Sequence, residues 1–268
     1  MKLARFISGD GREYLGRLVS ERVAKPLVGE LFGEMTFAGE RVQIRTLLPP
    51  VQPPNIFAIG RNYRGHVEET GARLPERPLI FQKATTALVG EGAAIVLPAS
   101  APDEVDLEAE LAIVIGRRAR HVSEAAALDH VLGYTCANDV SARDCQRNDK
   151  QWSRAKSFDT FCPLGPWLVT TDDLDPDRCT IRSRLNGGVM QDANTSAMIF
   201  SCCQLISYLS HQFTLLPGTV ILTGTPEGVG FARQPPVFLR EGDRVEVEIE
   251  GIGTLSNPVV RETPQLPA

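Results

Sequence analysis

The side chains best equipped for chemistry lie in the run Asp106-Leu107-Glu108-Ala109-Glu110-Leu111-Ala112-Ile113-Val114-Ile115. Read as a strand, successive side chains alternate between faces. Leu107, Ala109, Leu111, Ile113 and Ile115 then form one apolar face. Asp106, Glu108 and Glu110 line up on the other, followed by Ala112 and Val114. Three like charges on one face repel one another unless a cation sits among them. An acidic exposed edge would show the same pattern. A further carboxylate stands in Asn138-Asp139-Val140-Ser141, where a strand turns into a helix, with Arg143 and Gln146 three apart on one helical face. A set built only of carboxylates, without His or Cys, favours a hard cation: magnesium first, then manganese or calcium. Taken singly, Asp139 also reads as a helix N-terminal residue and Arg143 as half of a surface ion pair.

A second group is Asn62-Tyr63-Arg64-Gly65-His66-Val67-Glu68-Glu69. His66 and Glu69 stand three apart, so on a helix they can touch. A carboxylate beside an imidazole orients it and raises its basicity, which suits a general base. A solvated surface pair has the same spacing. TGTPEGVG, at 223–230, is a glycine-rich loop after a buried strand. It lacks the Gly-Lys-Ser/Thr ending of a phosphate-binding loop and the GxGxxG spacing, so nucleotide binding is not expected. It reads as a close-approach loop with Thr225 available to a ligand.

These groups must be held by a scaffold, and the pattern around them is strand-rich. LARFIS and YLGRLV read as strands around the Gly9-Asp10-Gly11 turn. Pro49, Pro50, Pro53 and Pro54 then exclude a helix interior or a central strand, so residues 1–50 are expected as a small β-rich domain and 51–268 as a second, larger one. Within the latter, IFAIG, PLIFQK, AAIVLP, the carboxylate run, YTCANDV and GTVILTG read as strands. DRVEVEIEG alternates, with Val245, Val247 and Ile249 on one face. Asn186-Gly187 is a hairpin signal. Helices are expected at NYRGHVEETG, stopped by Gly71, at SEAAALDHVLG, and from SARDCQRND. The strongest helical pattern is TSAMIFSCCQLISYLSHQ, capped by Thr195 or Ser196, with Ile199, Cys203, Ile206 and Leu209 on one face. Many strands and few helices predict an α+β domain, not a doubly wound sheet.

Composition narrows the function. Lys plus Arg is 28 and Asp plus Glu is 33, a formal charge of 28 − 33 = −5, which argues against a basic nucleic-acid binder. No apolar run approaches the ~20 residues of a membrane helix. The N-terminus has no apolar signal core, so a cytoplasmic protein is expected. The six cysteines form no CxxC pair and the four histidines no zinc-type spacing, which predicts reduced thiols.

From about Asn55 to Val260 the chain resembles the fumarylacetoacetate hydrolase superfamily. Ile59-Gly60-Arg61-Asn62-Tyr63 with His66 and Glu69 is similar to its lid motif, and Glu108-Ala109-Glu110-Leu111 with Val114-Ile115-Gly116 to its metal strand. Asn138-Asp139-Val140-Ser141, Ala155-Lys156-Ser157-Phe158-Asp159, Leu185-Asn186-Gly187, the 223–230 loop and Gly242-Asp243 follow in the same order. Two positions depart from the common pattern: Ala84 follows Lys83, and Gly188 follows Asn186-Gly187.

The resemblance implies a mixed β-sandwich roll, a homodimer, and a divalent metal on Glu108, Glu110 and Asp139. It implies a catalytic His66–Glu69 dyad on a lid, with Lys156 stabilising charge or delivering a proton. Arg143, Gln146 and Thr225 would bind substrate. The expected activity is magnesium-dependent processing of small 2-oxo or 2,4-dioxo acids through an enolate, first as carbon–carbon bond hydrolysis of acylpyruvate or fumarylpyruvate type. Oxaloacetate tautomerisation or decarboxylation is the alternative, and a non-catalytic oxoacid-binding protein is a further one. No nucleic acid or membrane partner is expected.

Overall fold

The apolar run Ala109–Ile115 forms an inner strand of the largest sheet and is buried at every position. A computed structural model describes residues 1–263; residues 264–268 of the expected 51–268 domain lie outside the described residues. Cys136 and its neighbours on strand Val131–Asn138 flank Ala109–Ile115 on one side, and Val220–Leu222 flanks it on the other, both antiparallel. Val220–Leu222 then pairs in parallel with Ile56–Gly60, and Ile56–Gly60 with Leu79–Lys83. In the other direction Val131–Asn138 pairs with Cys162–Thr170. The first four strands join there, because Lys2–Ser8 pairs with Cys162–Thr170 at Lys2–Val169 and Leu3–Leu168. The N-terminal unit thus continues the same 11-stranded sheet.

A second, five-stranded sheet runs in the order Gly188–Asn194, Thr180–Leu185, Arg244–Ile249, Gly253–Arg261, Ile95–Leu97. The Asn186-Gly187 turn closes its hairpin with both residues in the left-handed region, φ 53 and 81. Strand period sorts the core into two layers. Ala109, Leu111, Ile113 and Ile115 join one cluster with Phe57, Ile59, Val247 and Leu205, while Ala112 and Val114 join another with Ile56, Ala58, Val245 and Phe161. Because both faces are covered, a whole strand reads as apolar instead of alternating. The result is a strand-rich α+β fold.

Two local expectations are corrected. The carboxylate run is not one strand: Val105–Asp106 and Ala109–Ile115 are separate. Between them the Glu108 amide donates to Asn138 Oδ1 at 3.0 Å instead of to a ladder carbonyl. Leu107 consequently packs in the Ala112 and Val114 layer, not with Ala109. The third helix begins later than expected, at Cys202–Gln212. Ser201 accepts from the Gln204 amide while Gln204 accepts from the Ser201 amide, a reciprocal cap stronger than Thr195 or Ser196 can offer. Thr195–Ala197 is a separate 3₁₀ turn, and the buried helical face is Cys202, Leu205, Ile206 and Leu209. Glu124–His130 is helical as expected, in 3₁₀ form. The cysteines are free thiols. No described helix is long and apolar enough to cross a membrane.

Ile113, fully buried between the two sheets, is the test of this packing. Ile113→Ala should lower unfolding stability by about 2–5 kcal/mol. Urea denaturation measures it, and a loss under about 1 kcal/mol would contradict a close-packed layer.

Candidate active site

The local chain geometry brings most of the predicted residues to one place. The break at Leu107–Glu108 turns the Glu108 side chain toward Glu110, and Asp139 follows immediately on the antiparallel neighbour, its amide donating to Glu108 O at 2.9 Å. The carboxylates of Glu108, Glu110 and Asp139 offer oxygens within 4.8 Å of one another, all buried. His66, Arg143, Gln146, Lys156 and Thr225 line the same cavity, of about 290 Å³. Glu69 stands behind His66. Asp106 does not join the three: it accepts from Arg143 Nε at 2.6 Å and from the Phe231 amide at 2.9 Å.

Charge balance decides what the cluster wants. Lys156 Nζ bridges Glu108 Oε2 at 2.6 Å and Asp139 Oδ2 at 2.7 Å, and Arg143 Nη2 reaches Glu108 Oε1 at 2.6 Å. Lys83 donates to the other oxygen of Asp139. Glu110 alone among the buried four has no cationic partner; its Oε2 accepts the Gly224 amide at 2.6 Å. Burial, then the charges of Asp139 and Glu108, push its carboxyl well above the ordinary range. Burial also pushes Glu108 up, but Lys156 and Arg143 outweigh it and hold that carboxyl well below its usual value. Burial favours neutral Lys156, yet Asp139 and Glu108 raise it and keep it an ammonium. The donor set suits a hard divalent cation: oxygen ligands only, converging, with one carboxylate uncompensated.

The second half of the site is a short helix, Arg64–Glu69. His66 Nδ1 lies 2.7 Å from Glu69 Oε1; a carboxylate oxygen accepts, so Nδ1 carries the hydrogen, and in the neutral ring Nε2 is then the acceptor. Glu69 Oε2 accepts the Gly228 amide at 2.8 Å. One loop therefore holds Glu110 through Gly224 and Glu69 through Gly228. Gly71, φ 63, ends the helix in the left-handed conformation expected of it. Thr225 spends its hydroxyl proton on Ala109 O at 2.9 Å, so it faces a ligand as an acceptor. Gln146 spends its carbonyl on Arg143, leaving its NH₂ for a ligand.

Sequence reasoning missed two residues of this assembly. Lys83 carries only the signal of a lysine ending an apolar strand. Gln191 is a buried amide with all four bonds made: Nε2 to Thr225 Oγ1 at 2.7 Å and Pro226 O at 2.8 Å, Oε1 from the Ala109 amide and Ser183 Oγ at 2.9 Å. It ties the second sheet to the carboxylate strand and the loop. Gln191→Leu strands these partners and should cost about 2–5 kcal/mol of stability; denaturation that matches the parent would refute the role.

Metal binding should also move a proton. At a pH below its raised value Glu110 is protonated in the metal-free protein, and a divalent cation must displace that proton. Affinity for Mg²⁺ or Mn²⁺ should rise with pH through that value and then level off. Calorimetry in two buffers of different ionisation enthalpy should find close to one proton released, lost in Glu110→Gln. Binding without proton release and without pH dependence would exclude this picture.

The fumarylacetoacetate (FAA) hydrolase C-terminal model matches residues 55–260. The mitochondrial oxaloacetate tautomerase FAHD2A of Bos taurus is 48% identical over 223 residues, 82% of this chain and 71% of that protein. The solved structure of 5-carboxymethyl-2-hydroxymuconate delta-isomerase from Mycobacterium smegmatis is 46% identical, with a TM-score of 0.88 over 98% of this chain and 100% of its own. That of 2-hydroxyhepta-2,4-diene-1,7-dioate isomerase from Mycobacterium marinum is 44% identical, with a TM-score of 0.86 and the same coverage. A match of this extent, carried by the strands and loops that build the cavity, makes the chain a member of the fumarylacetoacetate hydrolase family.

Proposed function

We propose that this protein is a keto–enol tautomerase of small 2-oxo acids of the oxaloacetate type, working with a divalent cation, magnesium first, on Glu108, Glu110 and Asp139. The observation that carries the proposal is His66, hydrogen-bonded to Glu69, lining the same cavity as that carboxylate cluster. The relatives named tautomerase and isomerase support it better than the carbon–carbon hydrolysis expected first. When bound, the cation supplies Lewis acidity at the 2-oxo oxygen.

The protein's own groups supply the rest. Tautomerisation breaks one C–H bond beside the carbonyl and makes one O–H bond, with no attacking water. Nε2 of His66 takes the carbon-bound proton, and the C2–C3 double bond forms as charge moves to the oxygen. The imidazolium returns the proton to that oxygen. Glu69 fixes the ring and stabilises its charged form. Lys156, held between Glu108 and Asp139, keeps positive charge beside the developing anion. Gln146 donates to the acid.

The test separates reactions that share this beginning. Enol absorbance of oxaloacetate is followed with Mg²⁺ while pyruvate release is assayed separately, with acylpyruvates in parallel. Fast enol–keto exchange without matching pyruvate release is expected. His66→Ala should lower kcat for exchange by about 10²–10⁴-fold while Mg²⁺ and oxalate still bind. Acylpyruvate cleavage faster than oxaloacetate exchange, or full exchange in His66→Ala, would overturn the proposal.

A further inference from the structure

Five basic side chains line the cavity: Arg61, His66, Arg143, Arg147 and Lys156. Four already have a carboxylate. His66 has Glu69, Arg143 has Asp106 and Glu108, Lys156 has Glu108 and Asp139, and Arg147 has Glu104 at 2.7 Å. Arg61 has none among the described residues, and it is exposed.

Its position is built, not incidental. A row of side chains leads from the carboxylate cluster to it. Lys156 Nζ lies 5.3 Å from the Phe81 ring, Phe81 meets Trp152 edge-on at 5.3 Å, and the Arg61 guanidinium lies 5.9 Å from the Trp152 ring. All four line the same cavity. Gly60 lets the Trp152 ring sit against the backbone, since a Cβ there would come within 2.4 Å of it. Asn62, on the other side, is fully buried and bonded to Thr223 O at 2.7 Å and to both the amide and the carbonyl of Phe200. Between these fixed neighbours Arg61 takes φ 59, a left-handed conformation that a residue with a side chain adopts at a cost. A glycine would sit there more easily.

Resting on the tautomerase reading, we infer that Arg61 is the specificity residue for a second, distal carboxylate, so that this site prefers 2-oxo dicarboxylates over 2-oxo monocarboxylates. The near end of the ligand lies at the carboxylate cluster, its chain runs along Phe81 and Trp152, and its far carboxylate meets the unpaired guanidinium. Arginine suits this role, because its planar fork pairs with both oxygens of a carboxylate.

The experiment reads binding, not turnover. With Mg²⁺ present, calorimetry compares oxaloacetate, 2-oxoglutarate and 2-oxoadipate with 2-oxobutyrate, 2-oxopentanoate and 2-oxohexanoate, and with oxalate, which has no distal end. In the parent protein at least one diacid should bind more tightly than the monoacid of equal length. Arg61→Met should erase about 10- to 100-fold of that preference and leave oxalate unchanged. Arg61→Gly should lose the same preference and melt no lower than the parent, since glycine relieves the backbone. Arg147→Met should shift the preference by about fivefold or less. A preference that survives Arg61→Met, one that follows Arg147 instead, a parent with no preference, or a lowered melting point in Arg61→Gly would each overturn the inference. Diacid binding that depends on Arg61 in a protein that does not interconvert oxaloacetate tautomers would uphold it while removing the reaction on which it was framed.

Discussion

Four carboxylates and three cationic side chains share the water-poor interior of this protein: Asp106, Glu108, Glu110 and Asp139 against Lys83, Arg143 and Lys156. Burying charge is costly unless each group is paired and hydrogen-bonded, so such a cluster constrains everything around it. Here the pairing is complete except at Glu110, whose only close donor among the described residues is a backbone amide. The cluster is one positive charge short, and that shortfall falls on Glu110, one of the three converging carboxylates. A wholly neutralised cluster would be inert packing. One with further unpaired acids would lose its shape or keep them protonated.

The scaffold follows from that demand. A regular strand from Asp106 to Ile115 would place its acids on one face at even spacing. The break at Leu107 and Glu108 instead sends Asp106 to Arg143 and brings Glu108 to Glu110 and Asp139. The side chain of Asn138 fills the gap in the ladder that the break creates. Arg143 also lies 4.3 Å from the Phe231 ring, which helps shield its ion pairs from water. Gln191 supplies the stiffness, because an amide with every bond made can connect strand, loop and second sheet without leaving a buried donor idle.

What could be read in advance divides along physical lines. Glu108 and Glu110, two apart on a strand, and His66 and Glu69, three apart on a helix, were legible as local spacings. Strand period also grouped Asp106 with the two glutamates, although it turns to Arg143 instead, while Asp139 was joined to the set by the family resemblance. Val245, Val247 and Ile249 alternate toward the core by strand period as well. Lys83 and Gln191 were not legible, because their partners lie far along the chain: Asp139 for one, Ala109 and Thr225 for the other. The late start of the third helix was missed because Thr195, Ser196 and Ser201 are all competent caps, and only Ser201 finds a reciprocal partner in Gln204. The strand break was missed because the Asn138 side chain that satisfies the freed Glu108 amide belongs to the neighbouring strand.

The loop that grips Glu110 through Gly224 and Glu69 through Gly228 spans 114 and 159 residues of chain in doing so. Contacts of such separation close late when a chain folds, because loop entropy must be spent before they reward it. During synthesis the carboxylate strand and the dyad helix emerge long before the segment that fastens both. A chain that stops before residue 223 carries the lysines and arginine that pair with Glu108 and Asp139, but not the amides that hold Glu110 and Glu69, so both halves of the site depend on one late-synthesised segment for their last contacts.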